Sequence, residues 1–159
     1  MADLEASRRI RDPRILPKHW MMVAASSVVF EDGKLLLVRD NQGFWAGVGG
    51  WVDPGESPEQ AVVREMREEL GVESEVIAHL RPFIAWHVAE HEHPISFLLF
   101  PHRLRLTSRD FTLLTDELTD VGWFEPGEIA ALDMLPHVRS LLDERMDEWL
   151  AHPERGLSS

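Results

Sequence analysis

Residues 50–72 of the chain carry its most informative pattern: GWVDPGESPEQAVVREMREELGV. Its Ser57-Pro58-Glu59-Gln60 segment is a capping box with proline at the first helical position, which predicts a helix that begins after Ser57. Gly71 is expected to end this helix, because glycine readily adopts the left-handed conformation of a C-terminal cap. Apolar side chains recur at the spacing of one helix face, which we expect to pack against a sheet. They are Val62, Val63, Met66 and Leu70.

Three glutamates of the predicted helix lie beside this apolar face. At about 100° of rotation per residue, Glu65, Glu68 and Glu69 fall within an arc of roughly 100°. Like charges at such spacings destabilise a helix by about 0.2–0.5 kcal/mol per pair. A divalent cation removes that repulsion, and Mg²⁺ or Mn²⁺ prefers oxygen ligands of this kind. For the three glutamates alone, a solvated acidic helix face is the alternative interpretation.

The whole stretch fits a longer pattern, G-x5-E-x7-R-E-U-x-E-E-x-G-U, where U is a bulky aliphatic residue and Met66 fills the first U. Average residue frequencies would give such a match by chance with odds on the order of 10⁻⁷. The pattern resembles the signature, or box, of the Nudix hydrolases. The part GESPEQAVVREMREELG is similar to the box of members that remove oxidised triphosphates from the nucleotide pool. Val48 stands where many members have proline before the paired glycines.

The order of predicted elements agrees with this resemblance. Residues 21–30 and 34–39 are predicted as paired strands, and residues 44–52 as a short strand that bends into a loop. Further strands are expected over residues 75–89, 95–106 and 119–124, and closing helices over 126–131 and 136–150. The fold class is α/β, a Nudix-type α/β/α sandwich with a mixed β-sheet, the box loop and helix, and a C-terminal helix.

The domain organisation is expected to be simple, because about 150 residues can bury a sufficient core in one unit. Residues 21–150 are predicted to form a single Nudix hydrolase domain. Residues 1–20 are a separate N-terminal extension rich in basic residues, which we interpret as an arm for a homodimer. Residues 151–159 are a C-terminal tail.

The resemblance implies a reaction and a metal site. Nudix hydrolases cleave a nucleoside diphosphate linked to another group, with water attacking a phosphorus. By the family pattern, Mg²⁺ or Mn²⁺ is the cofactor, Arg64 orients a glutamate through a bidentate ion pair, and Glu56 reaches a metal through water. The implied metal ligands are Gly50 through its carbonyl, Glu56, Glu65, Glu68 and Glu69.

The general base and the substrate contacts stay open at this point. The base is a box glutamate (Glu65 or Glu69) or an acid of the later segment LTDELTDVGWF, where Glu117 ranks ahead of Asp116 and Asp120. Aromatic side chains near the box are candidates for stacking on a base, with core packing as the alternative. Arginines are candidates for phosphate contacts, with a plain surface role as the alternative. The candidates for substrate binding are Trp45, Trp51, Phe83, Trp86 and Arg39, followed by Arg81 and Arg103.

The composition excludes several classes of function. There is no cysteine among the 159 residues, which excludes a disulfide framework, a thiolate nucleophile and cysteine-ligated metal sites. With 28 acidic against 16 basic residues and a formal charge of −12, the chain is not expected to bind a nucleic acid polymer. The resemblance to the Nudix hydrolases implies a small nucleotide as the partner: a nucleoside triphosphate, an oxidised nucleotide or a nucleotide sugar. No membrane span or secretory signal is apparent, so a cytoplasmic location is expected.

Two alternatives come from other classes. His87-Val88-Ala89-Glu90-His91 matches H-x-x-E-H, the inverted zinc-protease motif, which would make the chain a zinc hydrolase. That motif needs a helix, whereas the alternation of residues around it is that of a strand. The second alternative is a non-catalytic, nucleotide-sensing Nudix domain, against which the complete set of box carboxylates argues.

Overall fold

A computed structural model describes residues 21–87 and 95–151, the side chains of residues 86, 87 and 95 excepted. The N-terminal extension and residues 152–159 lie outside this range, and so does the dimer interpretation that rests on them. The strands are β1 (Met22–Val28), β2 (Phe30–Glu31), β3 (Lys34–Asp40), β4 (Trp45–Ala46), β5 (Gly49–Trp51), β6 (Ser74–His79), β7 (Phe83–His87), β8 (Ile95–Leu106) and β9 (Leu118–Phe124). The helices are α1 (Pro58–Leu70), α2 (Pro126–Ile129) and α3 (Pro136–Ala151).

The larger sheet is mixed and has the order β5-β1-β8-β6. Strands β1 and β8 are parallel, while β5 pairs antiparallel with β1. The long strand β8 pairs with β7 through its first half and with β6 through its second half, both antiparallel. The single strand predicted over residues 75–89 was therefore wrong. The strand is interrupted at residues 80–82, and Pro82 has no N–H to donate to a neighbouring strand.

The second sheet is antiparallel and is built around β3, which pairs with β2, β4 and β9. The predicted hairpin between residues 21–30 and 34–39 was wrong for most of its length. Only the two-residue strand β2 pairs with β3, whereas β1 lies in the mixed sheet between β5 and β8. The reason is burial: β1 has buried residues on both of its faces, and such a strand is most stable in the middle of a sheet that is covered on both sides.

Two separate cores confirm the predicted sandwich. Successive side chains of β1 point to opposite faces of the sheet. Ala24 and Val28 pack in the same cluster as the buried side chains of α3, including Leu141 and Trp149. On the other face, a second cluster combines Ala25 of β1 and Val29, which follows β1, with the apolar face of α1. Among the described residues, no helix has the length and apolar character needed to cross a membrane.

Helix α1 begins and ends as its sequence predicts. The Ser57 hydroxyl accepts the Gln60 N–H at 3.2 Å, and the Gln60 side chain accepts the Ser57 N–H at 2.9 Å. Gly71 adopts a left-handed conformation with φ of 68° and donates its N–H to the Arg67 carbonyl. Within the predicted apolar face, Val63 is only half-buried. The caps fix both ends of the helix that carries the box glutamates.

Candidate active site

Gly50 allows helix α1 to carry a carboxylate directly against strand β5. A Cβ atom added at Gly50 would lie 2.4 Å from Oε1 and 2.8 Å from Cδ of Glu65. Both distances are shorter than non-bonded atoms tolerate. The absence of a side chain at this position therefore brings the Gly50 backbone and the Glu65 carboxylate into contact.

Arg64 connects the box loop to the glutamates of the helix. Its Nε and Nη2 donate to the two oxygens of Glu56 at 2.8 and 3.0 Å, which is a bidentate pair. Its Nη1 donates to Glu65 Oε1 at 2.8 Å and to Glu68 Oε2 at 3.1 Å. Nη2 also donates to the Trp51 carbonyl at 3.1 Å. One guanidinium thus fixes the positions of three carboxylates, and the bidentate partner is the loop glutamate.

Glu56 is held in place from its own loop as well. The Asp53 N–H donates to Glu56 Oε2 at 3.1 Å, and the Glu56 N–H donates to the Asp53 carbonyl at 3.0 Å. Hydrogen bonds from Arg64 are the main cause that lowers the pKa of Glu56 below its ordinary value. The Glu56 carboxylate is therefore ionised at neutral pH and supports Arg64.

Glu69 interacts with three other carboxylates of the site. Burial, followed by the charges of Glu65, Glu117 and Glu68, raises its pKa from an ordinary 4.5 to about 8. The structure thus brings Glu117, from the loop before β9, close to the box glutamates. Of the other two acids in that segment, Asp120 pairs with Arg39 at 3.4 Å. The Asp116 backbone carbonyl accepts a hydrogen bond from the Asn41 side chain.

The loop that leads to Glu117 is attached to the end of the box helix. The Leu114 N–H donates to the Glu69 carbonyl at 3.1 Å, and the Thr112 N–H donates to the Leu70 carbonyl at 3.0 Å. Both acceptors lie in the last turn of α1, where carbonyls have no partner within the helix. The Asn41 N–H donates in turn to the Glu117 carbonyl at 2.8 Å.

The residues present fit a hard divalent cation. The carboxylates and the Gly50 carbonyl offer only oxygen ligands, which suit Mg²⁺ or Mn²⁺. Burial and, after it, the neighbouring carboxylates disfavour the ionised form of Glu69, and a bound cation would favour that form. The side chains and backbone that could hold it are those of Gly50, Glu65, Glu68 and Glu69.

A cavity of about 210 Å³ opens beside Gly50, between the mixed sheet and α3. Trp51, with 46% of its surface exposed, forms part of the wall and meets Phe97 edge-to-face at 5.4 Å. Phe97 in turn meets His137 of α3 at 5.3 Å. Most of the lining is apolar, and Ser26 and His137 add polar side chains. The cavity is therefore mainly apolar, with a few polar groups in its wall.

The other predicted substrate contacts lie elsewhere. Trp45 packs edge-to-face on Phe124 at 4.8 Å, with the Arg39 guanidinium 5.6 Å from its ring centre. Phe83 is a half-buried part of the core, and neither it nor Trp45 lines the cavity. Trp86 lies in β7, where only its backbone is described. Among the predicted aromatic residues whose side chains are described, Trp51 is the one that lines the cavity.

The last two arginines predicted to contact phosphate, Arg81 and Arg103, instead contact residues of α3. Arg81 pairs with Glu148 at 2.5 Å, and the buried Arg103 donates to the Trp149 carbonyl at 3.2 Å. These contacts tie the sheet to the last helix.

Sequence reasoning missed two residues of the cavity wall, Phe97 and His137. Phe97 appeared as one apolar residue of an alternating strand, and His137 as part of a closing helix. No local pattern marks either one, because the cavity forms only when β1, β5, β8 and α3 come together.

The inverted zinc-protease motif requires a helix, but its first residue lies in a strand. His87 is the last residue of β7, whereas the motif needs its two histidines on one helix face. Glu90 and His91 lie outside the described residues.

Comparisons with known proteins agree with this geometry. The family model for the NUDIX domain matches residues 20–145. The chain is 32% identical over 139 residues to the CTP pyrophosphohydrolase of Escherichia coli (strain K12), which covers 84% of this chain and 97% of that protein. It is 33% identical over 148 residues to the NAD-capped RNA hydrolase NudC of Pseudomonas aeruginosa (strain LESB58), covering 87% of this chain but only 45% of that relative. The solution structure of the E. coli ORF135 protein superposes with a TM-score of 0.66 at 30% identity, covering 87% of this chain and 97% of that one.

Proposed function

Because this chain belongs to the NUDIX family and is a Nudix hydrolase, we propose that it is a Mg²⁺- or Mn²⁺-dependent pyrophosphohydrolase that cleaves a nucleoside diphosphate linked to a further group. The observation that carries the proposal is the gathering of Glu65, Glu68 and Glu117 around Glu69, whose pKa is about 8, with the Glu65 carboxylate against Gly50. Such a concentration of carboxylates is costly unless it serves a cation.

Under this proposal the cation would neutralise phosphate oxygens and lower the pKa of the attacking water. The chain's own residues hold the site in shape. Arg64 keeps the oxygens of Glu65 and Glu68 in fixed positions, and Glu56 keeps Arg64 in place from the loop side. A ligand set that is already arranged needs little reorganisation when it binds a metal.

Glu69 and Glu117 are the two candidates for the group that takes the proton of the attacking water. Both carboxylates belong to the cluster, and the charge of Glu117 contributes to the raised pKa of Glu69. The two roles are separable by mutation. Loss of the base lowers kcat and leaves metal affinity largely unchanged, whereas loss of a ligand lowers both.

The cavity beside Gly50 supports a nucleotide as the substrate. Its volume of about 210 Å³ is smaller than the roughly 300–1,000 Å³ of a site that encloses a whole ligand. A nucleobase would enter it against Trp51, while the phosphates would stay outside at the carboxylates. We place nucleoside triphosphates first among the candidates, because the E. coli relative that this chain nearly spans is a CTP pyrophosphohydrolase.

The test is a product assay over a panel of nucleotides with Mg²⁺ or Mn²⁺. The panel contains the four ribonucleoside triphosphates, their deoxy forms, an oxidised purine triphosphate and a nucleotide sugar. We expect a triphosphate to yield a monophosphate and pyrophosphate, with activity lost on chelation. The Glu69→Gln variant should lose roughly 100-fold or more, because the metal site contributes several kcal/mol to the transition state.

The matched control is Glu73→Gln, which removes an exposed carboxylate paired with Arg67 outside the cluster. This variant should keep wild-type activity. If the folded wild type, supplied with either metal, hydrolyses no compound of the panel but still binds one, the catalytic proposal fails and the nucleotide-sensing alternative takes its place.

A further inference from the structure

Two histidines of the mixed sheet and a glutamate of α1 lie close together at the boundary between the buried interior and the surface. His79 ends β6 and lies directly opposite His102 of β8, with the two rings edge-to-face at 5.4 Å. Glu59, in the first turn of α1, brings its Oε1 to 3.4 Å from His79 Nδ1. One potential ligand atom from each of the three residues lies within 4.8 Å of the others.

This group is separate from the box carboxylates although it shares their helix. From Glu59 to Glu65 the helix rises about 9 Å and turns so that the two side chains point about 120° apart. The two sets also differ in chemistry, because the box offers only oxygen atoms and this group offers two imidazoles.

His102 is the fixed member of the group. Its side chain is nearly inaccessible, with 2% of the residue exposed, and its Nδ1 lies 2.9 Å from the Phe100 carbonyl. A carbonyl only accepts, so Nδ1 carries the proton. Burial also lowers the pKa of His102, which keeps the ring neutral with its lone pair on Nε2. A backbone carbonyl that accepts the N–H of one ring nitrogen is one of the partners by which proteins orient a metal-binding histidine.

We propose that Glu59, His79 and His102 form a second cation site, one for zinc-class transition-metal ions. Two imidazoles and one carboxylate suit Zn²⁺ rather than Mg²⁺, and they leave a fourth position for water. His79 and Glu59 have 67% and 41% of their side-chain surface exposed, so both can rotate to close around an ion anchored at His102. The site does not depend on the proposed reaction.

An ion at this site would link the first turn of α1 to strands β6 and β8. The three ligands come from elements that are distant in the sequence, so binding requires the folded chain. An ion that binds the folded chain and not the unfolded one raises the melting temperature. The readout is therefore independent of hydrolysis.

The first test is a calorimetric titration of the protein with Zn²⁺. Excess Mg²⁺ is present so that the oxygen-only box site is already occupied. The variants are His79→Ala and Glu59→Gln, both at exposed positions that leave the core intact. Each should weaken the binding of one Zn²⁺ equivalent by about tenfold or more and cancel the Zn²⁺-dependent rise in melting temperature. The matched control is Glu75→Gln, on the same strand as His79 but paired with Arg105, and it should bind Zn²⁺ like the wild type.

The second test follows the imidazole nitrogens by NMR while Zn²⁺ is added. We expect shifts at Nε2 of His102 and at one ring nitrogen of His79, with Nδ1 of His102 still protonated. The proposal is overturned if both variants bind Zn²⁺ as tightly as the wild type, or if Zn²⁺ shifts other histidines and leaves these two unchanged.

Discussion

Glu69 is expected to make the stability of the metal-free protein depend on pH. Its pKa is about 8 in the folded chain, against an ordinary 4.5. Between these values the folded chain holds a proton that the unfolded chain has released, so the free energy of unfolding falls as the pH rises. At about 1.4 kcal/mol for each pH unit, the full difference is roughly 4–5 kcal/mol. We expect a loss on the order of 2–5 kcal/mol between about pH 5 and pH 8.

The assay is urea unfolding of chelator-treated protein at a series of pH values, for the wild type and for Glu69→Gln. The comparison is needed because His102 acts in the opposite direction. Its lowered pKa makes the folded state gain stability as the pH rises towards 6.5. The difference between the two proteins removes that contribution and isolates Glu69. Saturating Mg²⁺ should abolish the decline in the wild type, because the cation replaces the proton.

The control is Glu73→Gln, whose exposed carboxylate has a lowered pKa because of its hydrogen bond with Arg67. Its contribution changes only below about pH 4.5, so in this window its curve should run parallel to that of the wild type. Parallel curves for the wild type and Glu69→Gln would refute the reasoning, because they would mean that Glu69 is no more buried or repelled than an ordinary glutamate.

Three substitutions test other parts of the structure. Gly50→Ala places a Cβ 2.4 Å from the Glu65 carboxylate, which must therefore move. We expect the variant to remain folded by circular dichroism and its kcat to fall about tenfold or more. Trp51→Ala removes an exposed cavity wall and should raise KM for the nucleotide about tenfold with a smaller change in kcat, as steady-state kinetics would show. Gly71→Ala forces a residue with a side chain into a φ of 68° and should lower the free energy of unfolding by about 1–2 kcal/mol in urea titrations. An unchanged kcat, KM or unfolding midpoint, respectively, would contradict each expectation.

The box helix could be predicted from the sequence because its determinants are local. The capping box, the proline and the terminal glycine lie within or next to the helix that they define. The same holds for the cluster of Glu65, Glu68 and Glu69, which follows from helical spacing. Arg64 was expected to hold a glutamate, and the structure assigns its bidentate contact to Glu56 because the loop folds back on the helix.

Features that depend on distant elements could not be predicted. Strand β1 lies only a few residues before β3 in the sequence, yet it pairs with β8, which is far along the chain. Burial on both faces of β1 outweighs proximity in sequence. The cavity wall at Phe97 and His137 and the pairing of His79 with His102 both need the finished sheet. The approach of Glu117 to Glu69 was a prediction by family resemblance, and no periodicity indicated it.

The two hydrogen bonds from Leu114 and Thr112 to the last turn of α1 have a consequence for local opening of the chain. These amides lie in a segment without regular secondary structure, yet their acceptors belong to a helix whose side chains Val62, Met66 and Leu70 are fully buried. To expose them, the loop must detach from the helix end. Amide hydrogen exchange at these two positions should therefore be slowed like that of the helix, and the loop and helix should open as one cooperative unit. Glu117 would then stay beside the box glutamates before any nucleotide arrives.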